Sequence, residues 1–397
     1  MRKEKCEKHF KSMIKKYEDI VDYDYKKKAK LIEKIVKEFI IKKELILYGG
    51  TAIDLLLPEQ NKIYTKSKLS DYDVYSSDPI KDGKELVDLL IKNNFKYVQL
   101  RQATVTNDTF KVFVENISAC DITRISKNEY IKMKSISSKK KQMLIASPAI
   151  LIGYMCMELS QPHLSYYRWD KVYERYIIFD KLYGIYDNTS LNMNNITPYI
   201  LIEKILKESL SFFKKNKIPL MGYHAIKIFE GKSINNFSIF DTDMSYLSCV
   251  STDIDKIITF YKNKLDITLV TTNNLIRIKY DNIFICDIYD VSNICVSICK
   301  KSGYSLVSLF GMKYYLYLQY IDNLYNKINC DYIKYYIYII NSLIKKSNCK
   351  SKCLVELECY GNSKSNMWEI RKMRWDKGII IYKPMINDKI NTVFNVT

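Results

Sequence analysis

The chain lacks long apolar runs, is poor in glycine and proline, and is short of acid. No apolar stretch approaches the ~20 residues that a membrane-spanning helix needs. The nearest, Tyr335 to Ile344, is short and rich in tyrosine. The start, MRKEKCEKHFKSMIKK, has no apolar core of the secretory-leader type, so no membrane association is expected. The 11 Cys are odd in number and scattered, which argues against a disulfide framework and for unpaired, reduced thiols. Cys349, Cys353 and Cys359 fit no zinc spacing. Only 11 Gly and 7 Pro occur in 397 residues, against an abundance of Lys, Ile, Asn and Tyr, the residues of A/T-rich codons. Lys and Arg number 63 against 44 Asp and Glu, a net charge of +19. That balance suits a polyanionic partner such as nucleic acid. Codon bias supplies part of the excess, so charge supports that partner without establishing it. With 47% hydrophobic residues, the chain can pack two or more domains.

What is present is organised around Leu45 to Asp73, LILYGGTAID followed by a polar connector and KLSDYDVYSS. Leu45 to Tyr48 reads as a short buried strand. Gly49 and Gly50 permit a sharp turn and a close backbone approach to a ligand. Thr51 to Leu57 reads as a helix start that Thr51 can cap. Strand, glycine turn and helix N-terminus together make a phosphate seat. Asp71 and Asp73, two apart in a strand, present two carboxylates on one face. Beside a triphosphate, such a pair calls for two Mg²⁺ (or Mn²⁺) ions. Asp121, in ISACDIT among small and apolar neighbours, is a third carboxylate that would be costly to bury without a cation.

The order Gly-Gly, Asp-x-Asp, Asp resembles the DNA polymerase β-like nucleotidyltransferase superfamily, which moves a nucleotide from a triphosphate to an acceptor. The resemblance implies Gly49 and Gly50 for the triphosphate, Asp71 and Asp73 for both metals, and Asp121 for the metal that activates the acceptor hydroxyl. The connector from Thr51 to Ser70 is longer than in many relatives. The bland alternative is a solvated turn and a polar edge strand.

Further along, QPHLSYYRWDKVYERYIIFDK (161–181) reads as a helix with Arg168, Lys171 and Arg175 on one face and Ser165 and Tyr167 near its start. This is where the superfamily commonly grips the triphosphate and base; a charge-balanced surface helix with Asp170 and Glu174 is the plain alternative. His163 reads as a turn residue. SYYRWDKVYERY after GGTAID and SDYDVY is similar to the poly(A) polymerase catalytic subunits of large cytoplasmic DNA viruses, of the poxvirus and giant-virus type. That likeness implies an enzyme adding AMP from ATP to RNA 3′ ends in the host cytoplasm or viral factory, and leaves open its packaging in the virion. It leaves open whether a processivity subunit or a homodimer assists.

The second half repeats the first. LIEKIVKE (31–38) recurs as LIEKILKE (201–208), LILYGGTAIDL (45–55) as IPLMGYHAIKI (218–228), and ISACDITRIS (117–126) as IFICDIYDVS (283–292). Asp71 and Asp73 answer to Asp241 and Asp243, and Asp121 to Asp287. Such order argues for a duplication. Tyr223 stands where the first copy has Gly50, so the first copy is expected to be catalytic and the second a platform. The expected fold is α+β, with duplicated nucleotidyltransferase palms, each a mixed sheet with helices on one face, plus helical segments. The expected spans are a helical segment (1–43), the catalytic palm (44–136), a helical nucleotide-binding segment (137–190), the degenerate second domain (195–300), and C-terminal helices and strands (301–397). A long helix is expected from Gly303 onward and strands within 352–397, where Arg371, Lys372, Arg374 and Trp375 form a basic-aromatic patch. The readings in contention are poly(A) polymerase in mRNA 3′-end formation, transfer to another acceptor (a tRNA end or a protein side chain), and a non-catalytic RNA-binding scaffold.

Overall fold

A computed structural model describes residues 2–64, 71–104, 106, 108–115, 117–186, 200–232, 234, 246–272, 275–347, 353–361 and 378–384. Asp241, Asp243, Cys349 and the Arg371–Trp375 patch lie outside them. The chain forms two compact units, Met1–Ser147 with Arg371–Thr397, and Pro148–Ile370.

The first unit opens with one helix, α1 (Arg2–Lys43). Its apolar residues Ile32, Ile35, Val36, Phe39 and Ile40 recur at helical spacing and are buried. There follow β1 (Ile46–Tyr48), α2 (Gly49–Leu56), β2 (Tyr72–Ser76), α3 (Pro79–Lys92), β3 (Val98–Gln102), β4 (Thr109–Val114), β5 (Ile117–Arg124), α4 (Lys127–Ser135), β6 (Ser138–Lys140) and β7 (Met143–Ile145). Asp78 caps α3 and Ser126 closes a capping box with Glu129 on α4.

In the second unit come α5 (Pro148–Ser160), α6 (Pro162–Ser165), a 3₁₀ turn (Tyr166–Arg168), α7 (Trp169–Tyr183), α8 (Ile200–Asn216), β8 (Leu220–Met221), α9 (Gly222–Phe229), β9 (Leu247–Ser251), α10 (Ile254–Lys262), β10 (Thr268–Thr272), β11 (Leu275–Tyr280), β12 (Ile283–Asp290), β13 (Val296–Lys301), β14 (Tyr304–Val307), α11 (Leu309–Asn326), α12 (Asp331–Lys346) and β15 (Cys359–Tyr360). The last strand, β16 (Ile379–Tyr382), returns to the edge of the first sheet beside β3. Two expectations are corrected here. Residues 304–307 are a strand, and the helix starts at Leu309 behind a Ser308 cap. Of the strand expected over Cys353–Cys359, only Cys359 is in a strand.

The sheets run β16-β3-β4-β5-β2-β1-β7-β6 and β10-β11-β12-β9-β8-β14-β13-β15. From β3 and from β10 the two orders are the same, with parallel pairs at β2–β5 and β1–β7 and again at β9–β12 and β8–β14. The duplication read from sequence is therefore repeated strand for strand. In the first sheet, one row of side chains (Leu100, Val112, Cys120, Tyr72) is buried. It faces the helices: Leu100 lies against Gly83 of α3, and the Tyr72 hydroxyl donates to Glu33 of α1 at 3.2 Å. The alternate row projects from the other face. In the second unit that other face is covered, since Tyr289 of β12 packs with tilted rings against Tyr315 and receives a hydrogen bond from Gln319, both on α11.

A buried charge holds the second unit's helices together. The Lys313 ammonium of α11, fully buried, donates to Asp180 at 2.8 Å and Tyr176 at 2.6 Å on α7, and to Asn341 at 2.6 Å on α12. All three of its donors are thus used. Tyr176 and Tyr186 in turn donate to the second oxygen of Asp180.

The thiols are not all unpaired, as composition suggested. Cys295 and Cys359 form a disulfide. They are 64 residues apart, and only the pairing of β15 with β13 brings them together.

Removing one partner of a buried ion pair strands the other charge. Lys313→Met is therefore expected to lower unfolding stability by about 3–5 kcal/mol, and Asp180→Asn added to it to recover part of that loss. Urea midpoints of the two variants and the wild type check this; additive losses would contradict the coupling.

Candidate active site

β1 is extended through Tyr48 and then turns at Gly49, whose φ is +69°, a conformation that favours glycine. The Asp73 carboxylate occupies the space a Cβ at Gly49 would need. The glycine thus supplies both the turn and the seat for that carboxylate. Gly50 and Thr51 are buried in the first turn of α2. Thr51 does not cap the helix, contrary to expectation, because α2 already begins at Gly49. Its hydroxyl instead donates to the Asp71 carbonyl at 2.6 Å, fixing the approach to β2.

Strand register sets one row across the sheet: Tyr48 beside Asp73, Asp73 beside Asp121, Asp121 beside Lys111. Asp121 is 7% exposed, Asp73 is half-buried, and Asp71 is exposed just before β2. The three expected carboxylates therefore converge. Sequence reading missed the fourth member, Lys111, whose Nζ lies on Asp121. Ser118 donates to the other Asp121 oxygen at 3.2 Å. Burial disfavours the charged Lys111, but Asp121, by charge and hydrogen bond, with Asp71 and Asp73, holds its pKa above the ordinary 10.5. The same carboxylates, after burial, push the Cys120 thiol up. Lys111 was legible only as an alternate residue in FKVFV opposite a buried Asp. All-oxygen donors suit Mg²⁺ or Mn²⁺, and one of them is already paired with a tethered cation, Lys111.

The second unit carries the matching row with different chemistry: Met221, Ser248, Asp287, Arg277. Gly222 turns at φ +66° and faces Ser248 as Gly49 faces Asp73. His224, in the place of Thr51, hydrogen-bonds the Tyr246 backbone as Thr51 does that of Asp71. By register, then, Asp71 and Asp73 answer to Tyr246 and Ser248. The sequence pairing with Asp241 and Asp243 is corrected, because the connector lengths differ. Asp287 does answer to Asp121. It is held by Arg277, at 3.1 Å from Nε and 3.4 Å from Nη2. Tyr223 packs edge-on to Tyr336 of α12, with ring centroids 6.3 Å apart.

Arg168 lies in the 3₁₀ turn, with Lys171 and Arg175 on α7. Arg168 contacts Glu158 of α5, which sequence reading did not single out, and the charges of Lys171 and Arg175 also act on it. Arg168 Nε is 3.5 Å from Glu158 Oε2. Burial raises the Glu158 pKa, and the charges of Arg168, Arg175 and Lys171 oppose the rise. Ser165 is buried, and its hydroxyl donates to the carbonyls of Glu158 and Gln161. Trp169 Nε1 donates to the same Glu158 carbonyl at 2.9 Å. In this state Ser165 shapes the turn.

Residues 34–165 match the family model described as poly(A) polymerase catalytic subunit. A putative poly(A) polymerase catalytic subunit of African swine fever virus is 31% identical over 156 residues, 38% of this chain and 33% of that protein. One of Acanthamoeba polyphaga mimivirus is 30% identical over 167 residues, 41% of this chain and 28% of that protein. The chain thus spans about a third of the length of the curated relatives it matches. The crystal structure of the Megavirus polyadenylate synthase shares the fold, with a TM-score of 0.72 at 21% identity over 91% of this chain and 82% of that one. Residues 34–165 are thus similar to poly(A) polymerase catalytic subunits, and the fold is shared along most of the chain's length.

Proposed function

We propose that the chain is a template-independent polynucleotide adenylyltransferase, adding AMP from ATP to RNA 3′ ends as in mRNA polyadenylation. The observation that carries this is the acid row Asp73–Asp121, with Asp71 beside it, at the mouth of the Gly49–Gly50 helix start. Asp71, Asp73 and Asp121 would hold two divalent ions, Mg²⁺ or Mn²⁺. When bound, these would neutralise charge on the phosphates and lower the pKa of the attacking 3′ hydroxyl. The turn at Gly49 and Gly50 lets backbone N–H groups approach a phosphate without a side chain between. Thr51 holds the Asp71 backbone, so the carboxylates keep their spacing without ligand. Lys111 holds Asp121 in place and balances the carboxylates while they stand alone. Arg168, Lys171 and Arg175 set three positive charges around one half-buried carboxylate, Glu158. That excess suits a triphosphate. ATP and the RNA 3′ end are the partners this reading entails, a processivity subunit or second copy is one it leaves open, and the cytoplasm or viral factory is its place of work.

The direct test incubates purified chain, a labelled RNA primer and each nucleotide in turn with Mg²⁺ or Mn²⁺. Long tails with ATP alone are expected. Extension of tRNA only, or of nothing, would overturn the reading in favour of another acceptor or a scaffold.

Equivalent carboxylates in the two units should behave oppositely. Asp73→Ala or Asp121→Ala is expected to cut extension by on the order of 1,000-fold with the fold retained. Asp287→Asn leaves Arg277 partly buried without its carboxylate and is expected to cost about 2–3 kcal/mol, with extension per folded molecule unchanged. Primer assays normalised to folded protein, paired with thermal melts, separate the two effects.

Lys111 gives a pH-dependent expectation. Its folded pKa is raised, so its contribution is fully present below its ordinary value of 10.5 and is lost only as alkaline pH passes the folded value. Lys111→Met should therefore lower Tm at neutral pH without divalent ions, by an amount equivalent to about 1–2 kcal/mol after allowance for partial solvent screening. Mg²⁺ should restore more of the variant's Tm than of the wild type's. Equal Mg²⁺ shifts in both proteins would refute the placement of Lys111.

A further inference from the structure

We propose that His163, Cys295 and Cys359, with the two cysteines reduced, form a binding site for a thiophilic divalent cation of the Zn²⁺ class. His163 Nε2 and the two Sγ atoms all lie within 4.8 Å of one another, and His163 Nε2 is 3.5 Å from Cys359 Sγ. With Zn–S of about 2.3 Å and Zn–N of about 2.0–2.1 Å, a tetrahedral zinc places sulfur and nitrogen about 3.5 Å apart. Two thiolates on such an ion are about 3.8 Å apart, a separation that rotation of the two cysteine side chains can reach from a Cα–Cα distance of 5.5 Å. Two sulfurs and one imidazole are a soft donor set, unlike the all-oxygen acid row of the first unit.

Each donor is held by structure laid down for other reasons. Cys359 is fixed by the β15–β13 ladder, where it pairs with Ser297. Cys295 immediately precedes β13, and Gly361, at φ +116°, lets the two backbones close: a Cβ there would strike the Ile294 and Val291 carbonyls. His163 sits in α6, between Pro162 and the internally bonded Ser165. The ligands come from residues 163, 295 and 359, so no local cysteine spacing announces them. Three protein ligands leave a fourth position for water. The two thiols lose their protons as the cation goes on, so binding weakens as pH falls. Bound, the cation would tie α6, five residues before Arg168, to the β13–β15 edge. The site does not depend on the transferase reading.

The test uses the full chain reduced with a phosphine, loaded with Zn²⁺ alone, freed of excess by gel filtration and assayed for metal. One equivalent is expected, and Co²⁺ in its place should give a thiolate charge-transfer band with tetrahedral d–d bands. His163→Ala, which keeps both cysteines, should weaken zinc affinity by about 100-fold or more, with circular dichroism unchanged. Cys359→Ser should abolish the charge-transfer intensity contributed by that sulfur. Reduced wild-type protein that keeps no zinc, or zinc indifferent to both substitutions, would overturn the proposal and leave Cys295–Cys359 as a disulfide alone.

Discussion

Carboxylates gathered on one row of a sheet repel one another unless positive charge stands among them, and both units are arranged around that constraint. In the first, Asp73 and Asp121 are register neighbours, with Asp71 just outside β2. Lys111 reaches in from the next strand as a tethered cation. In the second unit the matching row holds, among the described residues, one carboxylate, Asp287, and the guanidinium of Arg277 holds it with two hydrogen bonds. One carboxylate matched by one arginine needs no further cation. Three carboxylates with one lysine retain negative charge, which the second row does not.

The same divergence shows in what covers each row. Tyr289 lies under Tyr315 and Gln319 of α11, and Tyr223 meets Tyr336 of α12. The second sheet's acid face has thus become part of a helical core, pinned from α7, α11 and α12 by Lys313. A tyrosine following the turn glycine is tolerable there because it has a protein surface to pack on. Gly50, in the first turn of α2, has no side chain to seat.

Much of this was legible in the chain itself. The Gly49–Gly50 turn, the two-residue spacing of Asp71 and Asp73, and a buried Asp121 among apolar neighbours are local patterns with local causes. The repeat was legible too, through its helix and its late aspartate. Misreadings came where a residue's role depends on a distant strand. Thr51 looked like a cap but bonds to the Asp71 backbone across the connector. Asp241 and Asp243 looked like the second acidic pair, because a matching tripeptide is more visible than a register that places Ser248 opposite Asp287. Lys111 and Glu158 carry no local mark in the sequence, because their partners lie on other elements.

The sequence by itself determined the order of elements, the location of the first copy's acids and the fact of duplication, since periodicity, glycine turns and repeated segments act over short range. Tertiary structure alone decided which charges meet. Lys111 finds Asp121 through an antiparallel ladder, Arg168 reaches Glu158 of α5, and Cys359 reaches Cys295 and His163 through a two-residue strand at a sheet edge. Electrostatic and coordination contacts depend on distances of a few ångströms between residues far apart in the chain, and only the folded register sets those distances.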